Sequence, residues 1–266
     1  MGKLSVYSVN KMLDHIFKVT PFVQPTETWV ALFDGDPEGA GVECSGVTYG
    51  RIECTGWEVA GTTLPRANSN SNLITFAEAG ADWGTADYVA IMDAEVAGNV
   101  LGKDDIEEIT INEGDNLYIS IGDIDISWSA GGVCNTWANK ILDHIFLNDP
   151  IVVPDDIYVG YSLATAGDDA STLAEPVGNG YARKLFETWN IAVVKLTSND
   201  GAMLFATCIT APQGSITHFV ISDHITNVLE PNIIIHGALD TPVNIGVGDQ
   251  LNFPDETLEI EVDSGV

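Results

Sequence analysis

The octet Asn10–Phe17 reads N-K-M-L-D-H-I-F and returns 129 residues later as Asn139–Phe146, N-K-I-L-D-H-I-F. Only Met12 against Ile141 differs, and the spacing is close to half of the 266-residue chain. A period this long means one structural unit written twice, which restricts the folds open to the chain more than any other feature. The match continues in order. Pro21 and Pro25 return as Pro150 and Pro154, and Trp29–Leu32 as Tyr158–Tyr161. Tyr49-Gly50-Arg51 returns as Tyr181-Ala182-Arg183, and Trp57 as Trp189. Phe76 returns as Phe205, Gly84-Thr85 as Gly214-Ser215, and Tyr88–Asp93 as His218–Asp223. Thr110–Leu117 returns as Asn244–Leu251, by which point the offset has grown to 134, so the insertions fall in loops. The joint is placed at Ser129-Ala130-Gly131-Gly132, giving modules 1–131 and 132–266. Each is long enough to bury a core of its own and is expected to fold alone.

Within one module the hydrophobic period changes once. Val9, Met12, Leu13, Ile16 and Phe17 form one apolar helical face, as do Ala138, Ile141, Leu142, Ile145 and Phe146. Ser5 or Ser8 would cap the first helix and Thr136 the second; Pro21 ends the first. Beyond each helix come short runs rich in Val, Ile, Thr and aromatics, separated by Gly, Asn, Asp and Pro. Strands are expected near 28–33, 47–54, 73–77, 87–92, 108–111, 116–121 and 124–128. The second module gives 157–161, 181–187, 191–196, 203–208, 217–222, 233–236 and 257–262. About seven short strands with frequent turns predict a mainly β fold: two tandem antiparallel β-sandwiches, Ig-like or jelly-roll-like, each preceded by one helix. No βαβ alternation supports a nucleotide-binding sheet.

Charge narrows the partners. The net charge of −29 is shared: six basic and 21 acidic residues in the first module, four and 18 in the second. Nucleic-acid binding requires a basic footprint, and anionic membranes are disfavoured for the same reason. The excess serves solubility through self-repulsion, or docking on a basic partner surface. No apolar run is long enough to span a bilayer, and no cleaved export signal is expected.

The search for chemistry yields little. Asp14-His15 and Asp143-His144 suggest a relay, but adjacent helix residues point about 100° apart. They read as a polar stripe beside the apolar face, and His15 is expected to be exposed. His218, His224 and His236 lie in one module only and are assigned structural roles. Asp34-Gly35-Asp36-Pro37-Glu38-Gly39 is either a calcium-binding turn or a solvated loop; it lacks the ligand spacing of a twelve-residue calcium loop, and Ala164–Asp169 does not repeat it. Asp104, Asp105, Glu107 and Glu108 form an acidic face. Arg51 and Arg183 recur among few cations, and each is expected to hold an acidic neighbour in its own module or to serve an interface. Cys44 and Cys54 are either a cross-strand disulfide or two thiols, and Cys134 and Cys208 are isolated, so no zinc site is expected. No catalytic residue, metal or cofactor is assigned.

A helix reading L-L-D-H-I/V-F, a Pro-rich link, a W/Y-V-A-L-F strand, an acidic or Gly-rich loop and G-x-x-Y-x-R together resemble a family of small structural proteins of tailed bacteriophages, often labelled tail fibre or minor structural protein. The later features are Trp83-Gly84-Thr85, Ile91-Met92-Asp93 and Gly114-Asp115-Asn116-Leu117. The second module departs where Gln213 replaces Trp83. The resemblance implies a non-enzymatic virion component assembled in the host cytoplasm. It would be a capsid-surface decoration or cement protein, or a neck or tail accessory protein, whose partners are other virion proteins and possibly itself. The alternative is a host-recognition, carbohydrate-binding module of a fibre or baseplate. That reading asks for exposed aromatics among Trp57, Trp83, Trp128, Trp137 and Trp189.

Overall fold

The computed structural model describes residues 2–18, 20–61, 66–128 and 132–262. Of the joint expected at 129–132, residues 129–131 lie outside them and Gly132 is described. The first module runs β1 (Gly2–Leu4), α1 (Val6–Phe17), β2 (Trp29–Asp34), β3 (Val42–Glu43), β4 (Ile52–Glu53), β5 (Arg66–Ser69), β6 (Ile74–Thr75), β7 (Gly84–Met92), β8 (Val100–Ile111), β9 (Tyr118–Ile119) and β10 (Asp125–Trp128). The second runs α2 (Asn135–Phe146), β11 (Tyr158–Ser162), β12 (Lys184–Leu185), β13 (Leu196–Ser198), β14 (Met203–Leu204), β15 (Gly214–Ser222), a 3₁₀ turn at Glu230–Asn232, β16 (Ile233–Ile245), β17 (Asn252–Phe253) and β18 (Glu259–Glu261). The chain is mainly β, in tandem modules, as its turn-punctuated sequence dictates.

The main sheet of the first module has the order β3-β2-β7-β8-β1-β10-β5, with β4 also on β2 and β6–β9 a separate ladder. All pairings are antiparallel except β1 with β10. Module 2 repeats the pattern in pieces: β12-β11-β15-β16, with β13–β18 and β14–β17 as separate ladders. In place of β1 it has a single bridge, Val133 to Ile235. There Gly132 takes φ +70°, and a Cβ would lie 1.8 Å from the His236 carbonyl, so only glycine fits. Strand β2 shows why the sandwich reading works. Val30 and Leu32 face the main core, while Ala31 and Phe33 join Ala90 and Met92 in a second apolar cluster on the other face.

Several expected strands shrink. The runs 47–54 and 181–187 keep only Ile52–Glu53 and Lys184–Leu185, and 108–111 is the end of a twelve-residue strand. The carboxylates at 105, 107 and 108 hid the rest of β8, because exposed acids break the alternation that betrays a strand, while Asp104 is buried, which corrects its place on an exposed acidic face. Strand β5, R-A-N-S, is too polar to be seen from sequence.

The helices follow the sequence closely. Ser5 is the N-cap of α1, its Oγ accepting from the Ser8 amide at 3.0 Å. In α2 the cap position is Cys134 with no side-chain cap bond; Thr136 is the second residue of the helix, which corrects that expectation. All ten residues of the two apolar faces are buried.

The apolar core does not stop at the module boundary: one contiguous cluster holds residues from both halves. The reason is that each helix packs on the other module. Phe17 of α1 packs against Trp189 with ring centroids 4.8 Å apart, and Phe146 of α2 against Trp57 at 4.7 Å, both pairs tilted. Asp14 Oδ1 accepts from the Ala192 amide at 2.8 Å, and Asp143 Oδ1 from the Ala60 amide at 3.0 Å. These contacts are reciprocal, residue for residue, as in an isologous dimer interface. The octet is therefore repeated because both copies perform the same docking.

Candidate functional site: the interface between the modules and the repeated polar clamps

At the centre of the interface stand the two octet histidines. His15 and His144 are 7% and 1% exposed, and their ring centroids are 5.2 Å apart. The Nδ1 of His15 accepts from the Phe22 amide, and that of His144 from the Ile151 amide, both at 3.1 Å. Each histidine thus fixes the chain seven residues on, where the Pro-rich link leaves its helix. Because both Nδ1 atoms accept, the proton of each neutral ring sits on Nε2. His144 Nε2 then donates to the Phe22 carbonyl across the modules at 3.0 Å, while His15 Nε2 is buried with no hydrogen-bond partner among the described residues. Burial holds both rings below the ordinary histidine range, and for His144 the nearby His15 adds to the effect. The relay suggested by Asp14-His15 does not form, because the aspartates turn to the opposite module's amides. The expectation that His15 is exposed is overturned: its side of the helix is covered by the second module, which a pattern within one module does not reveal.

The Y-x-R motif is a clamp. Arg51 Nε and Nη2 bind Glu43 at 2.8 Å each, and its Nη1 donates to the carbonyls of Ala94 and Ala97. Arg183 binds Glu175 at 2.9 and 2.8 Å and reaches Ser222 Oγ and the carbonyls of His224 and Asn227. Tyr49 and Tyr181 bond the same glutamates and receive the amides of Leu32 and Tyr161. Bidentate guanidinium–carboxylate pairing, nearly buried, ties the hairpin after β7 or β15 to the sheet. The expected acidic neighbour within each module is thus present. Burial raises the hydroxyl pKa of both tyrosines. The glutamates lay eight residues before each arginine in both copies, a spacing that would have revealed them.

A second repeated device was missed. Asn70 and Asn199 are fully buried. Asn70 Nδ2 donates to the Asn72 and Ser120 carbonyls and its Oδ1 accepts from the Ile124 amide. Asn199 does the same with Gly201, Pro254 and Leu258. The signal available was an asparagine after serine, recurring at an offset of 129.

Other candidates resolve into structure. The acidic turn at 34–39 wraps a cation from its own chain: Lys103 Nζ pairs with Asp36 and, at 3.1 Å, with Glu38. The aligned residue in module 2 is His236, facing Asp168 at 3.8 Å. No group of three or more metal-binding side chains occurs among the described residues. Cys44 and Cys54 are separate buried thiols, each pushed up to about 11 by burial. Trp57, Trp83, Trp128, Trp137 and Trp189 are all buried. Of the remaining histidines, His224 is exposed and His218 half-buried. Where Gln213 replaces Trp83, its Nε2 donates to the Asn179 carbonyl as Trp83 Nε1 donates to the Val47 carbonyl. Tyr161, standing where module 1 has Leu32, bonds Gln213 Oε1 at 2.6 Å and replaces the lost ring.

No curated protein matches the chain. The sequence model of the family described as podophage GP4 fiber I protein gp80 matches it twice, over residues 3–127 and 132–261. These two segments are the two modules, so the chain belongs to the podophage GP4 fiber I protein gp80 family, carries it as a tandem duplication, and is a phage virion structural protein.

Proposed function

We propose that the chain is a non-enzymatic component on the outside of the virion, a capsid-surface decoration or cement protein or a neck or tail accessory protein. One observation carries this reading. The buried and half-buried polar residues that recur in both modules are committed to architecture: the Tyr–Arg–Glu clamps, the two asparagines, the paired histidines and the helix aspartates. A duplicated enzyme would be expected to repeat its chemistry; here the repeats share docking and bracing. The charge of −29 disfavours a place beside packaged DNA and supports an external one. The family's description as a fibre protein supports a position at the tail over one on the shell. Glycan recognition finds less support, since the five tryptophans it would call on are buried. The test is mass spectrometry of purified virions followed by gold labelling of intact particles. Many copies on the particle surface are expected; absence from the particle, or label reachable only after the shell is opened, would overturn the proposal.

A further inference from the structure

The duplication provides an internal comparison for one cleft. Where α1 ends on module 2, Lys18 Nζ donates to the Trp189 carbonyl at 2.6 Å. The matching residue after α2 is Leu147, which follows the second octet as Lys18 follows the first. Leucine donates nothing, and no donor among the described residues reaches the Trp57 carbonyl, the counterpart of Trp189. A cleft of about 420 Å³ lies there, lined by Glu27, Glu53, Trp57, Phe146, Leu147 and Asn148 among others.

A second difference points the same way. Glu53 pairs with Trp29 on β2, and its counterpart Leu185 pairs with Tyr158 on β11. The module that receives an ammonium from its neighbour has leucine at this position. The module that receives none has a carboxylate. Neither Glu27 nor Glu53 forms an ion pair among the described residues. The chain has few cations to spare: Arg51, Arg183 and Lys103 are held in the pairs above, and Lys11 and Lys140 lie over Tyr7 and Trp137.

We propose that this cleft of module 1 binds a primary ammonium, and that the ammonium is a lysine side chain presented by a partner protein. Glu27 and Glu53 supply the charge, and the Trp57 carbonyl accepts as the Trp189 carbonyl does for Lys18. A single exposed ammonium contact is weak, so its role is to set the register of a larger interface. That the presenting protein is a virion component rests on the assembly reading above. The ammonium site itself does not, and the experiment addresses the site alone.

The full-length ¹⁵N-labelled chain is titrated with Nα-acetyl-lysine methylamide, with Nα-acetyl-norleucine methylamide as the uncharged control. Saturable shifts are expected at the amides of Thr28, Gly56 and Asn148 with the lysine compound only. Leu147→Lys, which places an ammonium as Lys18 does, should abolish them. Glu53→Leu, an exchange on the surface, should weaken binding about fivefold, the factor an exposed ion pair supplies. Shifts scattered over the acidic surface without saturation, equal response to norleucine, or undiminished binding in Glu53→Leu or in a folded Leu147→Lys would overturn the proposal.

Discussion

Acid should loosen the paired modules; the structure gives the sign, and proton linkage bounds the size. His15 and His144 accept backbone amides at Nδ1, so protonation turns each acceptor into a donor facing another donor. Two cations would then stand 5.2 Å apart between rings in a buried interface. The folded chain resists this, which is why both pKa values lie below that of an unfolded histidine, about 6.5. Above that pH neither state is charged and stability is at its full value. As pH falls through about 6.5 the unfolded chain takes up protons first, and stability drops until the folded-state values are passed. Each histidine contributes at most about 1.4 kcal/mol per pH unit in that window, so the pair contributes up to about 2.7. His218 and His236 are lowered in the same direction by burial, which gives the whole chain up to four contributors. The charged groups near the pair are Asp149, which favours protonated His144, and the helix aspartates Asp14 and Asp143, which are engaged with opposite-module amides. Asp36, held low beside Lys103, matters only below its ordinary carboxylate range. The assay is urea unfolding at half-unit steps from pH 5.5 to 8. Replacing both octet histidines with asparagine, which keeps an acceptor and does not titrate, should remove about half of the slope. An unchanged slope in that variant, or stability that rises on acidification, would refute the reasoning.

Leu13→Ala and Ile145→Ala should each lower stability by about 2–5 kcal/mol in denaturant titrations, because both are buried at the helix–module contact. Asn70→Ala and Asn199→Ala should each cost about 2–4 kcal/mol, since each strands three backbone groups, with matched losses from the two copies in thermal melts. A protease site placed at residues 129–131 should, once cut, leave the two pieces co-eluting on gel filtration at neutral pH, because reciprocal helix docking holds them; separation into two stable monomers would instead support independent modules. Association with assembled capsids or tails should slow as salt rises, since the −29 charge acts over roughly 8–10 Å at ordinary ionic strength. Faster association with salt would mean that the partner surface is acidic too.

What was legible in the sequence was whatever repeats with a local period. The octet face, the turn glycines and the alternating strands all report on contacts within a few residues. Gly114 and Gly248 take φ of 88° and 93°, and Asp115 and Asp249 close the same turn by accepting the amide three residues back at 2.8 Å. That explains the repeated G-D-x-L at residue level. The packing partner of each helix was not legible, because an amphipathic face says only that it is covered. His15 and His144 were misplaced for that reason: the surface that buries them comes from the other end of the chain. The partners of Arg51 and Arg183 were half legible, since scarcity marked the arginines while Glu43 and Glu175 were hidden among 39 acids.

The reciprocal helix docking has a consequence for assembly. Two separate copies docked through their helices would come apart on dilution, and each would present the same outer surface as its mate. Tethering them through a handful of residues keeps the local concentration of each half for the other in the millimolar range, whatever the concentration outside. Pairing then no longer depends on how much protein the host cell holds. The tether also releases the halves from sameness: Lys18 is matched in the other half by Leu147, Trp83 by Gln213, and Lys103 by His236. A fused pair of this kind offers two unlike faces at a fixed one-to-one ratio, which a symmetric dimer cannot do.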